Sequence, residues 1–224
     1  MTKVINAHIY LVNPLGAVMS DVDATAARRT PSQARSRERL ERIQAAACEL
    51  IARTGSDQVK MSEVAALAGI SIGSLYQYFP DKSALIRSLA ERYNAESRRC
   101  IEEALAPVSD LPGLLKAFDE LVDIYLDVVM AEPVMRDIWS GMQADKQLMA
   151  LQLAESRVQG ALLADAMRKV HPGVAAETIA RVAFLIWELG EATVRLAITV
   201  ETEEGRALVE TYKRMSLREI AEPG

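Results

Sequence analysis

Residues Ser62–Lys82 read SEVAALAGISIGSLYQYFPDK. Ser62 has the character of an N-cap, and Val64, Ala65 and Ala68 make the apolar stripe of a short helix. Gly69 permits a tight turn, and Ser71 is placed to cap a second short helix over Ile72–Tyr78. A helix that served only a core would use Ala, Leu, Glu and Lys, the better helix formers, where this one has Gly73, Ser74, Tyr76, Gln77 and Tyr78. Two short helices joined by a Gly-containing turn form a helix-turn-helix, with Ala65, Ile70 and Leu75 where the two must pack. Small residues at the start of the second helix let its backbone approach a groove wall. The hydroxyls of Ser74, Tyr76 and Tyr78 can donate to phosphate oxygens, and the helix N-termini offer backbone N–H groups. The composition suits a DNA-reading surface.

Upstream, Thr30-Pro31-Ser32-Gln33 has the form of a capping box. It opens a helix with Leu40, Ile43, Ala47, Leu50 and Ile51 on one stripe and Gly55 at its end. Arg35, Arg37, Arg39 and Arg42 crowd its first half, as they would on a solvated face. Downstream, Pro80-Asp81 opens a long helix from Lys82, with Leu85, Ile86, Leu89 and Tyr93 aligned. Long amphipathic segments then follow at Leu111–Met130, Val134–Gly141, Asp145–Val170, Ala175–Val200 and Glu203–Ile220, separated by Pro and Gly breakers. No strand-period alternation interrupts them. The class is all-α, about nine helices in two parts. Residues 1–27 read as a disordered extension, or in part as residues ahead of a true start at Met19, because Asn13 and Pro14 break its apolar run and no signal-peptide cleavage site is evident. The small domain covers 28–82 and the larger one 83–224.

The net charge of −5 conceals an asymmetry. Arg28–Arg92 carries 11 Lys and Arg against 7 Asp and Glu, a balance of +4, while the rest carries 15 against 24, a balance of −9. An anionic partner meets the first part. Cys48 and Cys100 lack metal-type spacing and read as two buried thiols of a reduced, cytoplasmic protein. The histidines, His8 and His171, stand apart from them. With no phosphate loop and no clustered His, Cys and Asp, nothing points to an enzyme, a metal or a cofactor. No apolar run is long enough to span a membrane.

The run VAALAGISIGSLYQYFPDKSAL, with RERLERIQAAACELIARTGSDQVKMSEVA before it, resembles the helix-turn-helix of the tetracycline-repressor (TetR) family of bacterial transcriptional regulators. The match covers about Arg35–Leu89; the C-terminal half agrees in helix number and length only. The resemblance implies a reading head in which Ile72, Gly73, Ser74 and Tyr76 meet bases or adjacent backbone, with Gln77 on the same helix. It places Ser62, Tyr78 and Lys82 at phosphates. Arg28 and Arg29, from their charge, are candidates for a minor-groove arm. Ile72 departs from a polar base reader and suits thymine methyl groups.

One helix-turn-helix makes few contacts, so such proteins usually work as two-fold dimers on paired half-sites. Ala183, Ile186, Gly190, Val194 and Ala197 lie near one face of the penultimate helix, and Leu208, Tyr212 and Met215 near one face of the last. That pattern also fits an intramolecular core; the resemblance implies a four-helix homodimer contact. Phe118, Tyr125, Met135, Trp139, Met142, Phe184 and Trp187 suit an adaptable apolar pocket, or equally a core, and the resemblance implies a cavity for a hydrophobic effector. Glu188 interrupts an apolar helix, Glu191 and Arg195 have the spacing of an ion pair, and Arg136 is a candidate for an anionic ligand group. The expected function is a ligand-released homodimeric repressor acting on double-stranded operator DNA. The alternative is a DNA-binding regulator controlled by a protein partner, which would have a solid C-terminal core.

Overall fold

The structure, a computed structural model, describes residues 31–142 and 146–224. Among them are nine helices and no strand: α1 Pro31–Thr54, α2 Met61–Leu67, α3 Ile72–Tyr78, α4 Lys82–Leu105, α5 Leu111–Ala131, α6 Pro133–Met142, α7 Lys146–Val170, α8 Ala176–Ala197 and α9 Thr202–Ala221. None is long and apolar enough to cross a membrane. The expected extension at 1–27, with Thr30 and Asp145, lies outside the described residues.

Local chemistry sets most boundaries. Asp81 caps α4 by accepting from the Ala84 N–H at 2.7 Å, and Asp110 caps α5 by accepting from the Gly113 N–H at 2.8 Å. Gly55 ends α1 at φ 84° and Gly69 turns α2 into α3 at φ 67°, the left-handed region that other residues enter at a cost. Ser62 is corrected: α2 starts at Met61, with the cap two positions earlier at Lys60 and no side chain bonding there, so Ser62 sits inside the first turn.

One continuous core runs through both parts of the chain, with α4 common to them. In the head, Ile43, Ala47 and Ile51 of α1 close over Val64, Ala65 and Leu75, with Leu85 and Leu89 of α4 beneath. Farther along, Tyr93, Ile101 and Leu105 of the same α4 enter the larger bundle, built on Leu114 and Phe118 of α5, Leu163 and Met167 of α7 and Ile179 of α8. There α8 packs between α7 and α9, and α9 also lies on α5. Lys213 fastens that last contact: its Nζ, on a side chain 7% exposed, is 3.0 Å from Asp119, 2.8 Å from Asp123 and 3.5 Å from Glu210. Burial works against its charge, but Asp123 and Asp119 outweigh it and raise its pKa. His171 is structural, with Nε2 2.8 Å from the Ile220 carbonyl oxygen.

The α8–α9 contact needs a glycine. A Cβ on Gly205 would stand 2.3 Å from the Ala197 carbonyl oxygen, a backbone atom that cannot step aside. We expect Gly205→Ala to destabilise the fold by about 1–3 kcal/mol through overpacking, read as a lower urea midpoint with an unchanged slope.

Candidate DNA-reading head and ligand cavity

The second short helix presents the side chains that its odd composition promised. Leu75 is fully buried, while Ile72 and Tyr76, four residues apart, are 42% and 50% exposed on the opposite face. Gly73 and Gln77 are exposed, and a Cβ on Gly73 would touch nothing within 4 Å. Ser71 caps the helix as expected, accepting from the Ser74 N–H at 3.1 Å and donating to Ser74 Oγ at 3.1 Å. Ser62 lies exposed at the start of α2.

Tyr78 and Lys82 already have partners. The Tyr78 hydroxyl is 3.3 Å from Ser36 Oγ, which ties α3 to α1. Lys82 Nζ donates to the Asp57 carbonyl oxygen at 2.8 Å. Both positions anchor the head as it stands. The four arginines of α1 are exposed, as a solvated face requires. Arg28 and Arg29 lie outside the described residues.

Beneath the head, the larger bundle holds a part-open chamber of about 70 Å³. Its walls come from α4 (Tyr93, Ser97, Cys100), α5 (Phe118, Tyr125), α6 (Met135) and α8 (Trp187, Glu191), closed by Tyr212 of α9. Five expected residues thus meet there or at its rim: Phe118, Tyr125, Met135 and Trp187 line it, and Trp139 packs on Tyr125 with ring centroids 5.8 Å apart. Trp139 also lines a second, open pocket of about 340 Å³ beside α7, together with Met149, Gln152, Leu153, Glu188 and Arg195. Glu191 lines both.

Two expectations for the cavity are corrected. Phe184 packs against Gly160 of α7, under the guanidinium of Arg157 at 4.5 Å, and lines neither space. Arg136 borders a separate hollow with Met130, Ile198 and Arg206. The side chain of Met142 is outside the description. The α4 wall was missed, although Tyr93, Ser97 and Cys100 are spaced along one stripe of a helix already identified. Cys100 is only half-buried.

The eight dimer-face residues separate in the same way. Ala183, Ile186, Val194, Ala197 and Tyr212 are between 0% and 8% exposed within the single chain, covered by its own helices. Gly190 is covered by Tyr212, whose hydroxyl would lie 2.7 Å from a Cβ there and donates to the Ile186 carbonyl oxygen at 2.7 Å. This is the core reading of the stripe. Leu208 stays half-buried and Met215 is 62% exposed. The outward apolar side chains of α8 are instead Leu185, Leu189 and Leu196, each between 46% and 56% exposed.

Glu191 is more than one half of an ion pair. It is 7% exposed, accepts from Gln152 Nε2 at 3.0 Å and from Ser156 Oγ at 3.1 Å, and stands 3.8 Å from Arg195. Burial pushes its carboxyl above the usual carboxylate range; the neighbouring Glu188 adds to this, while Gln152, Ser156 and Arg195 oppose it. Tyr125 is raised by burial and by the Glu191 charge.

Three polar contacts join the helices around this cavity to the head. Tyr93, in the chamber wall, has its hydroxyl 3.8 Å from Cys48 Sγ on α1, and Arg92 reaches the same sulfur at 3.6 Å. Burial raises both the Tyr93 phenol and the Cys48 thiol, so these groups stay protonated as packing partners. On α6, Asp137 accepts from the Ser56 N–H in the loop that follows α1.

Known proteins can now be set beside this geometry. The family model described as the tetracyclin repressor-like C-terminal domain matches residues 112–223, and that of the tetR family of bacterial regulatory proteins matches 43–89. The chain belongs to the TetR family. It is therefore a DNA-binding transcriptional regulator, with a helix-turn-helix domain followed by a helical ligand-binding domain, in a family whose members are not generally enzymes. Among solved structures, a TetR-family regulator from Streptomyces coelicolor aligns at 24% identity over 82% of this chain and 97% of its own, with a TM-score of 0.62. A second from Mesorhizobium loti aligns at 18% identity over 82% and 97%, with a TM-score of 0.61. A third from Rhodococcus sp. RHA1 aligns at 21% identity over 81% and 96%, with a TM-score of 0.51. These likenesses are of fold. The curated proteins give no match.

The raised carboxyl has a consequence for pH. At pH values where the unfolded chain has released the Glu191 proton, the folded chain still holds it, so its contribution to stability falls as pH rises through the folded pKa. Glu191→Gln removes that loss, and a glutamine can also donate to Gln152 Oε1 after a turn of the amide. We expect the variant's unfolding free energy to fall less than the parent's as pH is raised from the ordinary carboxylate range to neutrality. Parallel urea titrations across pH read the difference; parallel profiles would show that Glu191 is not the titrating group.

Proposed function

We propose that this chain is a homodimeric repressor that leaves its operator when a small, largely apolar effector fills the cavity. One observation carries the reading: α4 lines the chamber with Tyr93, Ser97 and Cys100 and also forms the floor of the reading head with Leu85 and Leu89. A change in the chamber reaches the head through the same rod, about 36 Å long for its 24 residues. The chamber and its neighbouring pocket are unlike the solid core that control by a protein partner would require.

In the operator complex α3 lies in the major groove, with Ile72, Gly73, Ser74, Tyr76 and Gln77 toward the bases. Ser62 lies near the backbone, and Tyr78 and Lys82 take phosphates only if they exchange their present partners. Two such helices must be spaced by about 34–36 Å to enter successive grooves. The effector acts by changing that spacing through α4, with the Tyr93–Cys48 and Asp137–Ser56 contacts carrying the displacement into α1 and its loop. Regulation requires that the effector bind the two arrangements with different affinity.

The two-fold contact uses the outer face of α8. Leu185, Leu189 and Leu196, with exposed Ala192 between them, make a continuous apolar stripe, and Met215 extends the apolar surface on α9. Two copies of this pair form a four-helix contact. The small domain is taken as 28–82 and the sensing domain as 83–224, in an intracellular regulator.

Two substitutions test the separate parts. Tyr76→Ala weakens binding to fragments selected from genomic DNA by about 5- to 150-fold, the range for loss of a specific base-reading contact, with sedimentation and melting unchanged. Undiminished affinity would remove α3 from the reading role. Leu189→Glu places two carboxylates in the dimer stripe; the protein then sediments as a monomer and loses its hold on a palindromic fragment. A dimer that persists would move the interface elsewhere.

A further inference from the structure

Resting on the reading of the cavity as the effector site, we propose that the effector is a hydrophobic amine, bound as its ammonium form with N–H groups donated to Glu191 and Gln152. The apolar part lies along Trp139, Met149 and Leu153.

Chamber and pocket meet at Glu191, the residue that lines both. Glu191 is the one charged residue among those lining the chamber, and no Lys, Arg or His lines it. On the pocket side the charged residues are Glu188, Glu191 and Arg195, a balance of −1. Arg195 lies 3.8 Å from Glu191 and only partly offsets it. Gln152 spends its Nε2 on Glu191, and its Oε1 is left buried with no hydrogen-bond partner. A buried acceptor without a donor is costly, and a ligand that brings an N–H relieves it. The two acceptors belong to adjoining side chains, so one ammonium carrying at least two hydrogens serves both.

The surroundings favour a cation over a neutral donor. Trp139 lines the same pocket, and aromatic faces attract cations. Burial already strains Glu191 as an anion, and an ammonium at hydrogen-bond distance stabilises its ionised form. A carboxylate ligand would instead add a third negative charge beside Glu188 and Glu191. Met149 and Leu153, 51% and 45% exposed, supply apolar surface at the mouth. The pocket's 340 Å³ falls within the usual size of small-molecule sites, whereas the chamber alone does not.

The chain has two tryptophans, Trp139 and Trp187, and both border this site, so intrinsic fluorescence reports its occupancy. The full-length protein, without DNA, is titrated with n-octylamine, n-octanol, octanoate and octyltrimethylammonium below their micelle-forming concentrations. Octylamine should bind at least about tenfold more tightly than octanoate or octanol, and more tightly than the trimethylated cation, which has no N–H to donate. Glu191→Gln should bring octylamine and octanol to within about threefold of each other. Glu188→Gln, which lines the pocket outside the Glu191–Gln152 hydrogen bond, should retain a reduced preference and controls for loss of folding.

Equal or tighter binding of octanoate, a preference that survives Glu191→Gln, or binding of none of the four overturns the inference. Tighter binding of the trimethylated cation overturns the N–H contacts. Operator release is measured separately by adding octylamine to the protein–DNA complex. Selective amine binding without release would refute the repressor mechanism and leave the ligand class standing. Release by octanol in place of octylamine would do the reverse.

Discussion

Everything in this molecule depends on α4 running from the core of the reading head into that of the larger bundle without a break. Leu85 and Leu89 are fully buried under the reading head, and Ile101 and Leu105 are nearly so in the larger bundle. The intervening turns carry Arg92, Tyr93 and Glu96, a part-buried polar junction in which the Arg92 guanidinium lies 5.1 Å from the Tyr93 ring centre and 3.9 Å from Glu96. Close-packed interiors transmit strain because their side chains have few alternative positions. A helix held so firmly at both ends cannot shift at one without disturbing the other.

The head was legible because its instructions are local. Ser71, Gly69, Asp81 and the alternation of buried Leu75 with exposed Ile72 and Tyr76 follow from cap chemistry, backbone freedom and helical period. Each could be read within a few residues of sequence. Even here Ser62 was misplaced by two positions, because α2 begins without a side-chain cap and nothing local marks its first turn.

The larger bundle was legible as helices but not as surfaces. A 3.6-residue period identifies an apolar face without saying what covers it. Ala183, Ile186 and Val194 are covered by their own chain, while the stripe Leu185, Leu189 and Leu196 faces outward. Both stripes are apolar, so α8 is apolar over most of its circumference, and sequence cannot rank its two faces. Phe184 and Arg136 failed as pocket residues for the same reason: their side chains have the right chemistry, but the rotation of each helix sends them to other neighbours. Glu191 was read as a simple pair with Arg195 because the spacing is local, whereas Gln152 and Ser156 come from another helix, 39 and 35 residues away.

The buried Lys213 braces one wall of the cavity. By gripping Asp119 and Asp123 it clamps α5 to α9, and both helices line the chamber, α5 through Phe118 and Tyr125 and α9 through Tyr212. The same chamber is lined by Met135 of α6, and two residues along that helix Asp137 is bonded to the loop behind the reading head. A guest that parts α5 from α9 must break ion pairs to do so, whereas one that presses on α6 acts on a helix wired directly to that loop.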